Sequence, residues 1–135
     1  MHSPHKLVHS SLIPIRWGDM DAYGHVNNTI YFRFMEQIRV EYLEQRGFKV
    51  MPQGEAPVII NASCTFLIPL NYPGTVDIRM FVGQPGRSSI PTHYEIRRQG
   101  DDTLYATGDS KIVWMDVASG KSVAIPDELR AVLSQ

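Results

Sequence analysis

From Asn28 onward the apolar residues recur at helical spacing. Tyr31, Phe34 or Met35, Ile38 and Tyr42 mark one face, with Phe32, Met35, Arg39 and Leu43 beside it. Arg33, Glu36, Gln37, Glu41 and Glu44 fill much of the remainder, yet the apolar band is wide, which predicts a helix wrapped by protein on most sides. Glu36 and Arg39, three apart, are spaced to pair. Gly47 follows the last periodic residue and is the expected stop. Before the helix, "LVHSSLIPIRW" alternates imperfectly and reads as a first strand, with Pro14 at an edge or irregularity. Residues 1–7 are polar and expected to be loose.

After a turn-rich segment from Pro52 to Pro57 the period becomes two. In "PVIINASCTFLIPL", Val58, Ile60, Ala62, Cys64, Phe66 and Ile68 fall on one face, and Asn61, Ser63 and Thr65 on the other. "NYPG" is a turn signal. "TVDIRMFV" alternates cleanly, with Val76, Ile78, Met80 and Val82 inward, and "PTHYEIRR" continues with Tyr94 and Ile96. After "QGDD", "TLYATGDSKIVWMDV" is the longest strand, and Ser119-Gly120 turns it into a short "SVAI". "PDELRAVL" then reads as a short helix that packs Leu129, Val132 and Leu133. The order is strand, long helix, then consecutive strands with hairpin-scale links. That order predicts an α+β domain with an antiparallel sheet curled over one helix.

The chain's 135 residues suit one domain covering 1–135. A formal net charge of -1 supplies no basic field for nucleic acid, so none is expected as a partner. The single cysteine, Cys64, allows no intramolecular disulfide and fits a reducing compartment. No apolar run approaches membrane-spanning length, and "MHSPHKLVHS" lacks the apolar core of a secretory signal. A cytoplasmic protein without membrane insertion is the expectation.

Polar groups crowd the mouth of the helix in "RWGDMDAYGHVNNTIYFRFMEQIR". Read locally, Asp21 is a helix-entry acid, Gly24 a turn glycine, and Asn27 and Asn28 cap or turn residues. Asp19 reads as an acid that braces the loop, although its two-residue spacing from Asp21 also resembles a pair of acid/base carboxylates. The whole stretch resembles the strand-to-helix signature of the hotdog-fold thioesterases, in particular the 4-hydroxybenzoyl-CoA thioesterase-like branch with its acyl-CoA thioesterases. "GHVNN" is also similar to plant acyl-ACP thioesterases. "GRSS", "ATGDSKIVWMD" and "IPDELR" resemble later parts of the same fold, so the likeness runs from about Leu7 to the C-terminus. It implies a hotdog fold: a curved antiparallel sheet wrapped around a long central helix, self-associated as a dimer or tetramer.

The resemblance also implies chemistry. Asp21 matches the aspartate that such enzymes use as nucleophile or general base against a thioester carbonyl. Backbone N–H groups of Gly24 or His25, just before a helix, are the expected oxyanion donors. His25 lies four residues after Asp21, as a histidine does in the plant enzymes, although Tyr23 replaces their intervening asparagine. Some relatives in the nearer branch have a histidine where Asn28 stands; Asn28 is therefore a candidate to bond Asp21 or a water. Tyr23, with Asn61, Ser63 and Thr65 along an acyl channel, and Arg87, Ser88 and Ser89 on the coenzyme A arm, complete the expected substrate contacts.

Cys64, inside an alternating apolar strand, reads as a buried thiol rather than a nucleophile. His2, His5 and His9 have no acid or cysteine to complete a metal set, and no G-x-S-x-G elbow, P-loop or dinucleotide fingerprint occurs. No metal and no cofactor are expected, coenzyme A being part of the substrate. The leading expectation is hydrolysis of an acyl-CoA to the free acid and CoA. The alternatives are hydrolysis of acyl-ACP and non-catalytic binding of acyl thioesters.

Overall fold

The computed structural model describes residues 5–48 and 54–134. Its elements are β1 (Lys6–Pro14), a 3-10 turn (Trp17–Asp19), α1 (Asn28–Gln45), β2 (Glu55–Phe66), β3 (Thr75–Val82), β4 (Ser89–Arg98), β5 (Asp101–Asp116) and α2 (Asp127–Leu133). The strands form one antiparallel sheet in the order β1-β3-β4-β5-β2. β1 begins inside the stretch read as loose, of which residues 1–4 lie outside the described residues. The turn-rich link from Pro52 lies partly in residues 49–53, also outside them, and Glu55 already opens β2.

Clean alternation produces the centre of the sheet. β3 buries Val76, Ile78, Met80 and Val82, and β4 buries Ile90, Thr92, Tyr94 and Ile96. Against that face lies α1, which buries Tyr31, Phe34, Met35, Ile38 and Tyr42, the face that the periodicity marks. At 18 residues it is about 27 Å long. The Asn27 side chain caps its start by accepting from the Thr29 N–H at 2.9 Å. At its end the Phe48 N–H returns to Leu43 O across Gly47, the predicted stop.

At Gly108 of β5 the helix side chains lie directly over the sheet backbone. A Cβ built there would land on Met35 Sδ and lie 3.2 Å from Ser63 O. Gly108→Val is therefore expected to lower stability by about 1–3 kcal/mol through overpacking, read as a drop in the urea midpoint.

Five expectations need correction. First, the strands after the helix are not all hairpin neighbours: β2 leaves the sheet edge through residues 67–74 and pairs only with β5. Second, the inward face of β2 changes partway. A bulge at Ile60 shifts the register between Ile59↔Ile112 and Asn61↔Lys111. Pro57 and Ile59 thus share a side with Ala62, Cys64 and Phe66, and Val58 turns to the other. Third, α1 is not enclosed within one chain. Phe32, Arg33, Glu36 and Gln37 are exposed, and an open groove of about 780 Å3 runs beside them between β1 and α1. Fourth, Arg33 pairs with Glu36 at 3.0 Å, while Arg39 turns inward and donates to Tyr94 Oη at 3.3 Å. Fifth, the "SVAI" segment adds one isolated bridge, Met115↔Ser122, rather than a strand.

Candidate active site

The polar stretch folds into a tight turn clipped to the N-terminus of α1. Asp21 N–H donates to His25 O and Gly24 N–H to Asp21 O, each at 3.0 Å, above an isolated bridge between Met20 and Val26. Gly24 has φ 80°, a left-handed conformation that a side chain would disfavour. This local geometry separates the two aspartates. Asp19 is 2% exposed, and its carboxylate accepts from the Arg16 N–H at 2.8 Å and from the Arg16 guanidinium at 3.0 and 3.2 Å. It is committed to bracing the loop.

Asp21 is exposed. One carboxylate oxygen accepts from the Tyr23 N–H at 2.9 Å and the other from Asn27 Nδ2 at 3.2 Å. Each carboxylate oxygen has further acceptor capacity facing solvent. The side chain that reaches Asp21 is Asn27, the cap residue, rather than Asn28. Asn28 occupies the first helical position, where its N–H has no intrahelical acceptor.

The expected oxyanion donors also divide. The Gly24 N–H is consumed by Asp21 O. Among the described residues, no protein acceptor takes the His25 N–H. The His25 side chain meets the amide of Asn71, which the link after β2 brings 46 positions along the chain to 2.8 Å. Beside His25 and Asn28, a cavity of about 180 Å3 opens between Tyr31, Phe66, Leu67 and Ile68. The Tyr31 and Phe66 rings meet edge to face at 4.8 Å on its wall. Burial pushes the Tyr31 phenol above its ordinary value, against a hydrogen bond to the Leu70 backbone that lowers it. Apolar walls and bare N–H groups next to an exposed carboxylate form a site suited to polarising a carbonyl and activating water.

The other predicted residues lie elsewhere. Tyr23 is 88% exposed, its ring free of the turn. Asn61, Ser63 and Thr65 pair with Lys111, Asp109 and Thr107, on the sheet face turned away from α1. Arg87, Ser88 and Ser89 sit at the opposite end of the sheet from Asp21, where Ser88 O accepts from Trp114 N–H and Ser89 pairs with Val113. Arg130 of α2 holds that loop through Gly86 O at 2.7 Å and Arg87 O at 2.9 Å, leaving the Arg87 side chain exposed. Within one chain, then, the acid and the candidate coenzyme A contacts are not brought together. Among the described residues no cluster of three or more His, Cys, Asp or Glu is arranged to hold a metal ion.

Residues 15–133 match the model of the thioesterase-like superfamily. The chain belongs to that family. It superimposes on the solved structure of the "PA2801 protein, a putative Thioesterase from Pseudomonas aeruginosa", with TM-score 0.92 and 38% identity over 95% of this chain and 99% of that one. The PA5185 protein of the same organism aligns with TM-score 0.88 and 30% identity, covering 97% of this chain and 95% of that chain. In sequence it is 29% identical to the "Long-chain acyl-CoA thioesterase FadM" of Escherichia coli (strain K12), over 91% of this chain and 95% of that protein. This hotdog-fold thioesterase is thus a thioester hydrolase.

Sequence reasoning missed Asn27 as the partner of Asp21 and Asn71 as the partner of His25. Asn27 reads as a cap and does cap, with Oδ1, while Nδ2 reaches the acid. Asn71 lies in "NYPG", whose only local signal is a turn. Cys64, expected as a buried thiol, is only partly buried against the core, and that burial pushes its thiol up to about 11. A raised pKa keeps the sulfur protonated, so at pH 8 it carries roughly a hundredfold less thiolate than an ordinary thiol. Alkylation with iodoacetamide is expected to be correspondingly slow at pH 8 and to rise steeply towards pH 11; rapid labelling at pH 8 would contradict this.

Proposed function

We propose that this enzyme hydrolyses acyl-CoA thioesters to a carboxylic acid and CoA, at the Asp21–Asn28 turn. One observation carries the reading: of two aspartates two residues apart, Asp19 is buried and fully engaged, whereas Asp21 stays exposed with acceptor capacity to spare. Asp21 acts as general base on a water or as nucleophile on the carbonyl carbon. Charge that develops on the carbonyl oxygen meets the His25 N–H, with the open Asn28 N–H and the positive end of α1 alongside. On the base route the C–S bond then breaks and the proton that Asp21 took from water passes to the departing sulfur. On the nucleophile route thiolate leaves first, and water hydrolyses the acyl–Asp21 anhydride, releasing the acid and supplying the proton of the CoA thiol. The acyl-CoA substrate class is supported by the naming of the FadM relative.

A second copy of the chain completes this site in the proposal. β2 is a 12-residue edge strand on which Val58, Ile59, Ile60 and Phe66 are 37–48% exposed. Antiparallel self-pairing of β2 about a two-fold axis near its middle sets the Phe66 end of one chain beside the Pro57 end of the other. The first end holds the cavity next to His25. The second holds the Arg87–Ser89 loop, together with a pocket of about 180 Å3 bounded by Arg39, Leu43, Phe48, Pro57 and Ile59. The arrangement brings the coenzyme A contacts of one protomer towards the acid of its partner, which a single chain cannot do.

The decisive experiment offers the purified protein aromatic, short-chain and long-chain acyl-CoA esters and the matching acyl-ACP, with release of free thiol as the readout. Thiol release from at least one CoA ester supports the reading. Release from ACP esters alone overturns the carrier assignment. Tight binding without release from either carrier overturns catalysis at this site.

A further inference from the structure

Asn71 belongs to the link between β2 and β3, and that link is fastened on both sides. Val26 N–H donates to Leu70 O at 2.8 Å, Ile15 N–H donates to Gly74 O at 2.8 Å, and the Arg98 guanidinium donates to Asn71 O at 3.0 Å and to Pro73 O. These bonds carry the Asn71 side chain to the catalytic turn. One end of its amide faces Gly24 O at 2.9 Å, Leu70 O at 3.0 Å and His25 Nδ1 at 2.8 Å. Two of those atoms are carbonyl oxygens and can only accept. An amide oxygen there would be repelled by both, whereas the NH2 group has two hydrogens to give, one to Gly24 O and one to an unprotonated His25 Nδ1, Leu70 O already accepting from the Val26 N–H. The NH2 end therefore points into the cluster.

Two consequences follow from covalent geometry. Gly24 C=O and His25 N–H belong to one planar trans peptide and point in opposite directions. Anchoring Gly24 O on Asn71 turns the His25 N–H outward, where no protein acceptor among the described residues takes it. A donor on His25 Nδ1 also leaves the ring hydrogen on Nε2.

We infer that Asn71 is a positioning residue for hydrolysis: its amide aims the His25 N–H at the carbonyl oxygen of the thioester and holds the His25 ring in the Nε2–H form. This rests on the Asp21–Asn28 turn being the hydrolytic site. Asn71 touches neither substrate nor reacting atoms; it acts through the Gly24–His25 peptide.

The test has two independent arms. In the first, nitrogen-15 NMR of the imidazole, assigned with a His25→Gln variant, reads the tautomer in the unmodified protein at pH 8. The Nε2–H form is expected, and a dominant Nδ1–H form would overturn the inference. In the second, Asn71→Ala and the near-isosteric Asn71→Asp are compared with the parent. A misaimed oxyanion donor costs about 10–10²-fold in kcat, while KM stays within about twofold because ground-state binding is untouched. Asn71→Asp keeps the volume but removes the donor, so its ring proton should move to Nδ1 and its kcat should fall as far as that of Asn71→Ala. Parent-like kcat in a folded Asn71→Asp protein would sink the inference alone. A parent that cleaves no thioester would sink the hydrolytic reading and the catalytic half of this inference with it, whatever the tautomer.

Discussion

Asp21→Asn is expected to lower kcat for thioester hydrolysis by about 10³-fold or more while changing KM little. The amide occupies the same volume, and its oxygen still accepts the Tyr23 N–H, so the turn keeps one of its two bonds to this side chain. What disappears is the negative charge and the ability to take a proton or form a bond to carbon. An interaction lost only in the transition state lowers kcat and kcat/KM together. Thiol release under saturating substrate measures the effect, with the melting temperature as a check on folding. Asp19→Asn provides the contrast. It loosens a buried carboxylate held by three bonds from Arg16, so its effect should appear first in stability. An Asp21→Asn protein with parent-like kcat would remove this carboxylate from the chemistry.

If two β2 strands pair as proposed, Ile60→Lys is expected to leave the 15.3 kDa chain unpaired and to reduce hydrolysis by more than about tenfold. Ile60 is 48% exposed at the bulge of β2 and buries little within its own chain, so the substitution leaves the fold intact. Its effect comes from placing a charge where two edge strands would pair. If the acid of one protomer works with the Arg87–Ser89 loop of its partner, mass and activity must fall together. Sedimentation with parallel rate measurements reads both. A monomeric Ile60→Lys protein that retains full activity would show that one chain is a complete enzyme, and a dimeric one would place the interface elsewhere.

Much of the fold was legible because its determinants are local. A period near 3.6 from Tyr31 to Tyr42 and a period of two through Val76–Val82 each describe a face buried by its own element, and both faces are buried as read. The separation of Asp19 from Asp21 was also partly legible, since Asp19 follows Arg16 at the spacing of a one-turn bracket. The failures share a cause. The register of β2 depends on a bulge that only its partnership with β5 reveals, and one extra residue reassigns every side chain beyond it. Arg39 was read against Glu36, its neighbour along the helix, but its hydroxyl partner Tyr94 lies 55 positions away.

The same division runs through the site. Residue types, the turn glycine, the cap and the acid were all present in one short stretch, because a turn leading into a helix is built from consecutive residues. Which N–H groups stay open was a matter of packing instead. The Gly24 N–H was spent inside the turn, and Asn71 arrived from 46 positions away to orient the next peptide. Chain neighbours are held close by covalent bonds and so leave a pattern in the sequence. Contacts between distant segments exist only once the core has formed, and no periodicity records them.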